Sequence, residues 1–193
     1  MNQPSASNLK RAAAITLLPA IILVTLSALV FTAGAACPNV PTMKMDDVCN
    51  ELRNPEWTHA CWVTLNSSSL PKTAELTDYV IMAARHAHLR YEGTLNSVKE
   101  MLTAGRRLPG KQREAYTYCR DQYQEAISLM ASFDDQLHRC KFTQIPKEDT
   151  VGSCADKLRA SLLEKMPLYT YDVKDDEILA IVVFELGNML IGK

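Results

Sequence analysis

Between Lys72 and Thr103 the apolar side chains Leu76, Val80, Ala83, Ala87, Tyr91, Leu95, Val98 and Leu102 recur at steps of three and four. That spacing gathers one face of an α-helix. Three further segments carry the same signal. From Gln112 to Leu137 the seam is Cys119, Tyr123, Ala126, Met130, Phe133 and Leu137, a heptad-like run suited to near-antiparallel packing. Lys147 to Lys165 presents Val151, Cys154, Leu158 and Leu162, and Asp175 to Ile191 presents Ile178, Ile181, Val182, Glu185 or Leu186, and Met189. Stops lie between them: Gly105 and Pro109-Gly110 after the first, Pro146 after the second. No stretch alternates like a strand for more than a few residues. Four amphipathic helices on short turns predict an all-α fold, an antiparallel four-helix bundle over 72–193. The stretch 36–71 ahead of it is too short to own a core and reads as a small helical hairpin.

The N-terminus has a different character. Lys10-Arg11 leads into a mostly apolar run, Ala12 to Phe31, followed by Ala33-Gly34-Ala35, which has the small-x-small form of a signal-peptidase site. Residues 1–35 therefore read as a secretory signal, with a mature chain beginning at Ala36 or Cys37. The rival is an uncleaved anchor, since the run approaches the length that spans a bilayer. Pro19 and the small-residue exit favour cleavage. An even number of cysteines, six, in an exported chain points to disulfides and an oxidising compartment. The whole chain carries a formal charge of −1. Loss of the leader removes Lys10 and Arg11 and no acid, which makes the remainder more acidic. A polyanion partner needs a concentrated basic patch, and only Arg106-Arg107 is even locally dense, so no nucleic-acid partner is expected.

Catalytic patterns are missing from the sequence. His59, His86, His88 and His138 are scattered, and His86 and His88, two apart on a helix, point to different faces and cannot share a metal as an i, i+4 pair can. They read as solvated helix histidines. There is no phosphate-cradling glycine loop, HExxH or Gly-x-Ser-x-Gly. Asp134-Asp135 and Asp175-Asp176-Glu177 are acidic clusters, but neighbours on a helix diverge, so they read as solvated surface and as complements to a helix N-terminus. No enzyme activity, cofactor or metal is expected. Trp57 and Trp62 read as cover for a bridge in the hairpin rather than as a sugar platform. Asn66-Ser67-Ser68 is an acceptor for N-glycosylation, placed on an exposed loop before the first bundle helix.

The stretch VCNELRNPEWTHACWVTL, with eleven residues between Cys49 and Cys61 and the turn Arg53-Asn54-Pro55, resembles the N-terminal hairpin of the plant invertase and pectin methylesterase inhibitor family. Cys119-Arg-Asp-Gln-Tyr123-Gln-Glu-Ala126-Ile127-Ser-Leu129 is similar to that family's Cys-x3-Tyr-x2-Ala-[Ile/Val]-x-Leu helix, and Cys154-Ala-Asp156-Lys-Leu158 to its Cys-x-Asp-x-apolar segment. The resemblance runs from about Val48 to Ile191. It implies the pairs Cys49–Cys61 and Cys119–Cys154, where the sequence alone leaves fifteen ways to join six cysteines. Closing the shorter loop is worth about 3 kcal/mol in the chain-entropy model. Cys37 and Cys140 lie outside the family's four. They pair with each other, pinning the N-terminus to the turn between the second and third bundle helices, or remain free thiols.

The resemblance also implies a function. Family members are extracellular proteins that bind pectin methylesterases or acid invertases one to one and block the substrate cleft with the bundle surface. A monomeric inhibitor of pectin methylesterase in the plant cell wall, free of the membrane once its signal is removed, is the first expectation, and Arg53-Asn54-Pro55 suits it. An inhibitor of cell-wall or vacuolar invertase is the second: the invertase branch carries Pro-Lys-Phe in the turn between the second and third bundle helices, and Cys140-Lys141-Phe142 retains its Lys and Phe. A bundle that kept the fold and serves as a non-inhibitory surface or signalling module is the third. The chain departs from the family in this region, with a shorter interval between Cys119 and Cys154 and with Pro146 interrupting the early third helix. The turn Arg139–Asp149 is the expected contact, with Lys141, Phe142, Lys147, Glu148 and Asp149 as partner-binding residues. Phe142 reads either as an exposed anchor or as a cap on the bundle core.

Overall fold

The computed structural model describes residues 37–103, 108–161, 166 and 168–192. The expected leader and cleavage site, Gly105, Arg106-Arg107 and the end of the third predicted bundle helix, Leu162 to Lys165, lie outside them. Two strands and six α-helices follow in the order β1 (Thr42–Lys44), α1 (Met45–Asn50), α2 (Pro55–Asn66), β2 (Thr73–Glu75), α3 (Leu76–Thr103), α4 (Gly110–His138), α5 (Asp149–Ala160) and α6 (Lys174–Ile191). A π-helical turn, Leu168–Val173, leads into α6. Helices α3 to α6 form the bundle, and α1 and α2 form the hairpin ahead of it.

The hairpin is built from local chemistry. Arg53 takes a left-handed φ of 56° and turns the chain between its helices. Asn54 Oδ1 then accepts from Glu56 N at 2.9 Å, and Pro55 occupies the first helical position, a cap and a pre-set φ that start α2. Cys49 and Cys61, both fully buried, close the hairpin by a disulfide. Trp57 and Trp62 are half-buried and pack on the core.

The first bundle helix begins at Leu76 rather than Lys72, because Thr73–Glu75 pairs antiparallel with Thr42–Lys44 in the register Thr42–Glu75, Met43–Ala74 and Lys44–Thr73. Three residues are too few to show alternation, and their partner lies in a distant stretch of chain, so no sequence pattern marks this ribbon. Buried Tyr79 anchors it to α3: its hydroxyl lies 3.2 Å from the carbonyls of both Met43 and Lys72. Helix α5 starts at Asp149 rather than Lys147, since buried Pro146 ends an irregular run after Cys140.

The predicted seams of α3 and α4 are buried as expected, apart from half-buried Leu102. Val151, Cys154 and Leu158 of α5 are buried too. Cys119 and Cys154, fully buried, join α4 to α5 by a second disulfide. On α6 the phase differs. Leu179, Ala180, Val182, Val183, Leu186 and Gly187 face the core, whereas Ile178, Ile181, Glu185 and Met189 are only half-buried. This helix is apolar on most of its surface, so periodicity alone could not fix its rotation.

Asp176 supplies what the apolar pattern lacks. The expectation of a solvated carboxylate fails here, for Asp176 has 0% exposure. Arg90 Nε donates to its Oδ1 at 2.8 Å, and Thr94 Oγ1 and Tyr123 OH donate to its Oδ2 at 2.6 Å and 3.0 Å. Burial pushes the carboxyl above its ordinary range, while Thr94, Arg90 and Tyr123 pull it down. Burial, and then the facing Asp176, raise the Tyr123 phenol well above its usual value, so it stays a donor. Tyr91 packs edge-on against Tyr123 with ring centroids 5.8 Å apart. A buried charge is costly unless paired and fully hydrogen-bonded, and here two residues of α3 and one of α4 meet that requirement for a residue of α6. Asp176→Ala, which strands the Arg90 guanidinium and two hydroxyls, is expected to lower unfolding free energy by about 3–5 kcal/mol in urea titrations. Asp176→Asn, which keeps the shape, should lose less.

Candidate interaction surface

The connection between α4 and α5 emerges as a strap laid across the bundle. Helix α4 ends at His138, and Cys140 takes a left-handed φ of 53°. Lys141 N donates to Gln136 O at 3.0 Å. Gln136 Oε1 then accepts three bonds, from Thr143 N at 3.3 Å, Thr143 Oγ1 at 3.0 Å and Gln144 N at 3.2 Å. One side chain from the last turn of α4 therefore holds the backbone of the strap in place. Beyond it Ile145 lies on Gly187 of α6: a Cβ placed on that glycine would meet Ile145 Cγ2 at 2.8 Å and Phe133 Cζ at 3.3 Å. Only the missing side chain lets the strap approach so closely. Pro146 is buried, and with Tyr91, Met130 and Val151 it lines a narrow void beneath the strap.

Cys140 is joined to Cys37 by a third disulfide. Of the two sequence readings of this pair, the structure takes the bonded one. Cys37 N donates to Glu75 Oε2 at 3.2 Å, so the bridge also ties the strap to the end of β2.

The expected contact residues fall into two groups. Lys141, Lys147, Glu148 and Asp149 are exposed along the strap and the first turn of α5, whereas Phe142 is half-buried and packs on the core. Burial first, and then the Glu185 and Asp149 carboxylates, raise the Glu148 pKa. The strap thus offers Lys141 near one end and, at the other, Lys147 beside the crowded acids Glu148 and Asp149. Asn66 is exposed, but it is the last residue of α2 and not part of a loop; the hydroxyls of Ser67 and Ser68 donate to the carbonyls of Thr64 and Leu65. Gln136, Ile145 and Gly187, which position the strap, carry no signal of that role in the sequence.

A second concave feature lies where the hairpin meets the bundle. A crevice of about 320 Å³ is lined by Glu56, His59 and Val63 of α2, His86 and Arg90 of α3, and Asp175 and Ile178 of α6, among others. His86 is half-buried here, not solvated as its sequence context suggests, and burial followed by the nearby Arg90 charge lowers its pKa, against an opposing pull from Asp176. His88, half-buried as well, meets Glu92 at 3.6 Å, and exposed His138 meets Asp134 at 3.8 Å. Among the described residues no cluster of three or more His, Cys, Asp or Glu could hold a metal ion, and no helix is long and apolar enough to cross a membrane.

No family model matches the sequence, and no curated protein matches it. Among solved structures, a pectin methylesterase inhibitor from Arabidopsis thaliana superimposes with a TM-score of 0.48 and 17% sequence identity, over 76% of this chain and 95% of that one.

Two outcomes test this geometry. Gly187→Ala should destabilise the fold by about 1–3 kcal/mol through overpacking, and a double-mutant cycle with Ile145→Ala should show that the two changes are less than additive. For His86, a folded-state pKa below the ordinary histidine value of 6.5 means that its support is complete above that pH and is lost as pH falls through the folded pKa. His86→Gln should therefore lose less stability than the wild type between pH 7 and pH 5, with the difference read from urea midpoints at each pH.

Proposed function

We propose that this protein is a secreted inhibitor that binds pectin methylesterase one to one and obstructs its substrate cleft. The observation that carries the reading is the disulfide framework. Cys49 is bonded to Cys61 within the hairpin, and Cys119 to Cys154 between the second and third bundle helices, the pairing implied by the resemblance of the surrounding motifs. Three disulfides also suit an oxidising, extracellular compartment, in keeping with removal of residues 1–35 as a signal and with a glycan on Asn66. The strap is the proposed contact. Its backbone is fixed at both ends and along its length, so it enters a cleft with little ordering cost, and Lys141 stands free on it as a basic anchor. The position of Lys141-Phe142 in the same turn favours acid invertase as the competing target.

Activity assays of pectin methylesterase and acid invertase with the purified protein separate the readings. Stoichiometric loss of pectin methylesterase activity, with invertase untouched, is expected. Inhibition of invertase alone would reverse the assignment, and full activity of both enzymes would leave a non-inhibitory bundle. Within the first outcome, Lys141→Ala should weaken inhibition by about thirtyfold, roughly the 2 kcal/mol of an interface hot spot, at an unchanged melting temperature. Phe142→Ala removes packing from the core as well and should cost about 1–2 kcal/mol of stability, less than a fully buried Phe.

A further inference from the structure

The three disulfides differ in what covers them. Cys49, Cys61, Cys119 and Cys154 have 0% exposure, so a reductant reaches them only when helices separate. Cys37 retains 6% exposure, and Cys140 is the one cysteine of the six that is not buried. Cys140 also sits at a φ of 53°, a conformation that residues with a Cβ adopt at a cost. The covalent bond fixes the Cys140 end of the strap. Beyond it the strap is held by Gln136 and by the seating of Ile145 on Gly187.

We infer that the Cys37–Cys140 disulfide is a redox-operated latch on the strap, opened by a dithiol reductant while the bundle and its two buried disulfides stay intact. Regulation by this latch rests on the strap being the inhibitory contact proposed above. The chemistry is thiol–disulfide exchange. A thiolate of the reductant attacks Cys140 Sγ, the S–S bond breaks, and Cys37 leaves as a thiolate that takes up a proton. The second thiol of the reductant then attacks its own sulfur in the mixed disulfide and releases Cys140 as a thiolate, which is protonated in turn. Two electrons pass to the chain, and the reductant ends as a disulfide. Cys140 is then able to leave its left-handed conformation. Residues 140–142 keep the backbone bonds from Cys140 N to Leu137 O, from Lys141 N to Gln136 O and from Thr143 N to Lys141 O, and the residues at the N-terminal side of β1 lose their covalent tie to the strap while Cys37 N still meets Glu75. Exposed Lys141, the residue next to the bond, loses its fixed position, and the ordering cost of binding returns.

The test titrates the purified full chain with dithiothreitol at neutral pH without denaturant, followed by alkylation and peptide mass analysis. Cys37 and Cys140 should be alkylated at least tenfold faster than the other four cysteines. Amide exchange should then rise at least tenfold in residues 140–142 and 37–40, with the centres of α3, α4 and α6 unchanged. Simultaneous opening of all three bonds, or an unchanged strap once Cys37 and Cys140 are alkylated, would overturn the latch. In the enzyme assay, the selectively reduced and alkylated chain and the Cys37→Ser/Cys140→Ser variant should inhibit pectin methylesterase at least tenfold more weakly than the oxidised chain. Equal inhibition by folded, latch-free protein overturns the regulatory role. If the oxidised chain itself fails to inhibit, the proposed function falls, and the alkylation and exchange measurements still decide the latch.

Discussion

Four amphipathic helices can stack in more than one rotational phase, and apolar burial, being non-directional, does little to choose among them. Asp176 chooses. Its carboxylate tolerates full burial only where Arg90, Thr94 and Tyr123 converge on it, and a rotation of α6 by one residue would leave a charge in the core without partners. The arrangement fixes α3, α4 and α6 to one another by geometry as well as by area. A buried ionic cluster is weak evidence of added stability; its contribution here is to the uniqueness of the packing.

That fixed packing positions the outer features. With α4 and α6 held in phase, Gln136 and Gly187 present a hydrogen-bonding rail and a flat seat on which the strap lies. With α3 and α6 held, the crevice beside α2 has a defined floor, and Lys174 meets Glu56 of the hairpin at 3.7 Å. The β-ribbon and Tyr79 secure the other side of the hairpin through the chain that enters α3. Hairpin and strap are therefore both attached to the bundle by polar contacts, with the apolar core supplying the platform.

The helices were legible in the sequence because their signal is local. A seam such as Tyr123, Ala126, Met130 and Phe133 repeats over many turns, and every member is buried. What was not legible depends on residues far apart in the chain. Asp176 is flanked by Asp175 and Glu177 and looks like ordinary negative charge at a helix start; its burial is decided by Arg90, 86 residues earlier. The ribbon pairs two three-residue strands whose own compositions say nothing. The strap carried a turn signal in Pro146 and an aromatic in Phe142, but its path over the bundle is set by a glycine in another helix. The inward turn of Phe142 follows from that path.

The Cys37–Cys140 bridge, which spans 103 residues, has a consequence for how the chain reaches its oxidised form. Synthesis delivers Cys37 first and Cys140 only after 103 further residues, an interval on the order of 5–20 s at ordinary elongation rates. Cys49, Cys61 and Cys119 arrive within that wait as tempting wrong partners. Correct assembly thus turns on the hairpin sealing its own short loop early, so that the oldest thiol in the folded unit is left waiting for the last turn of α4 to be made.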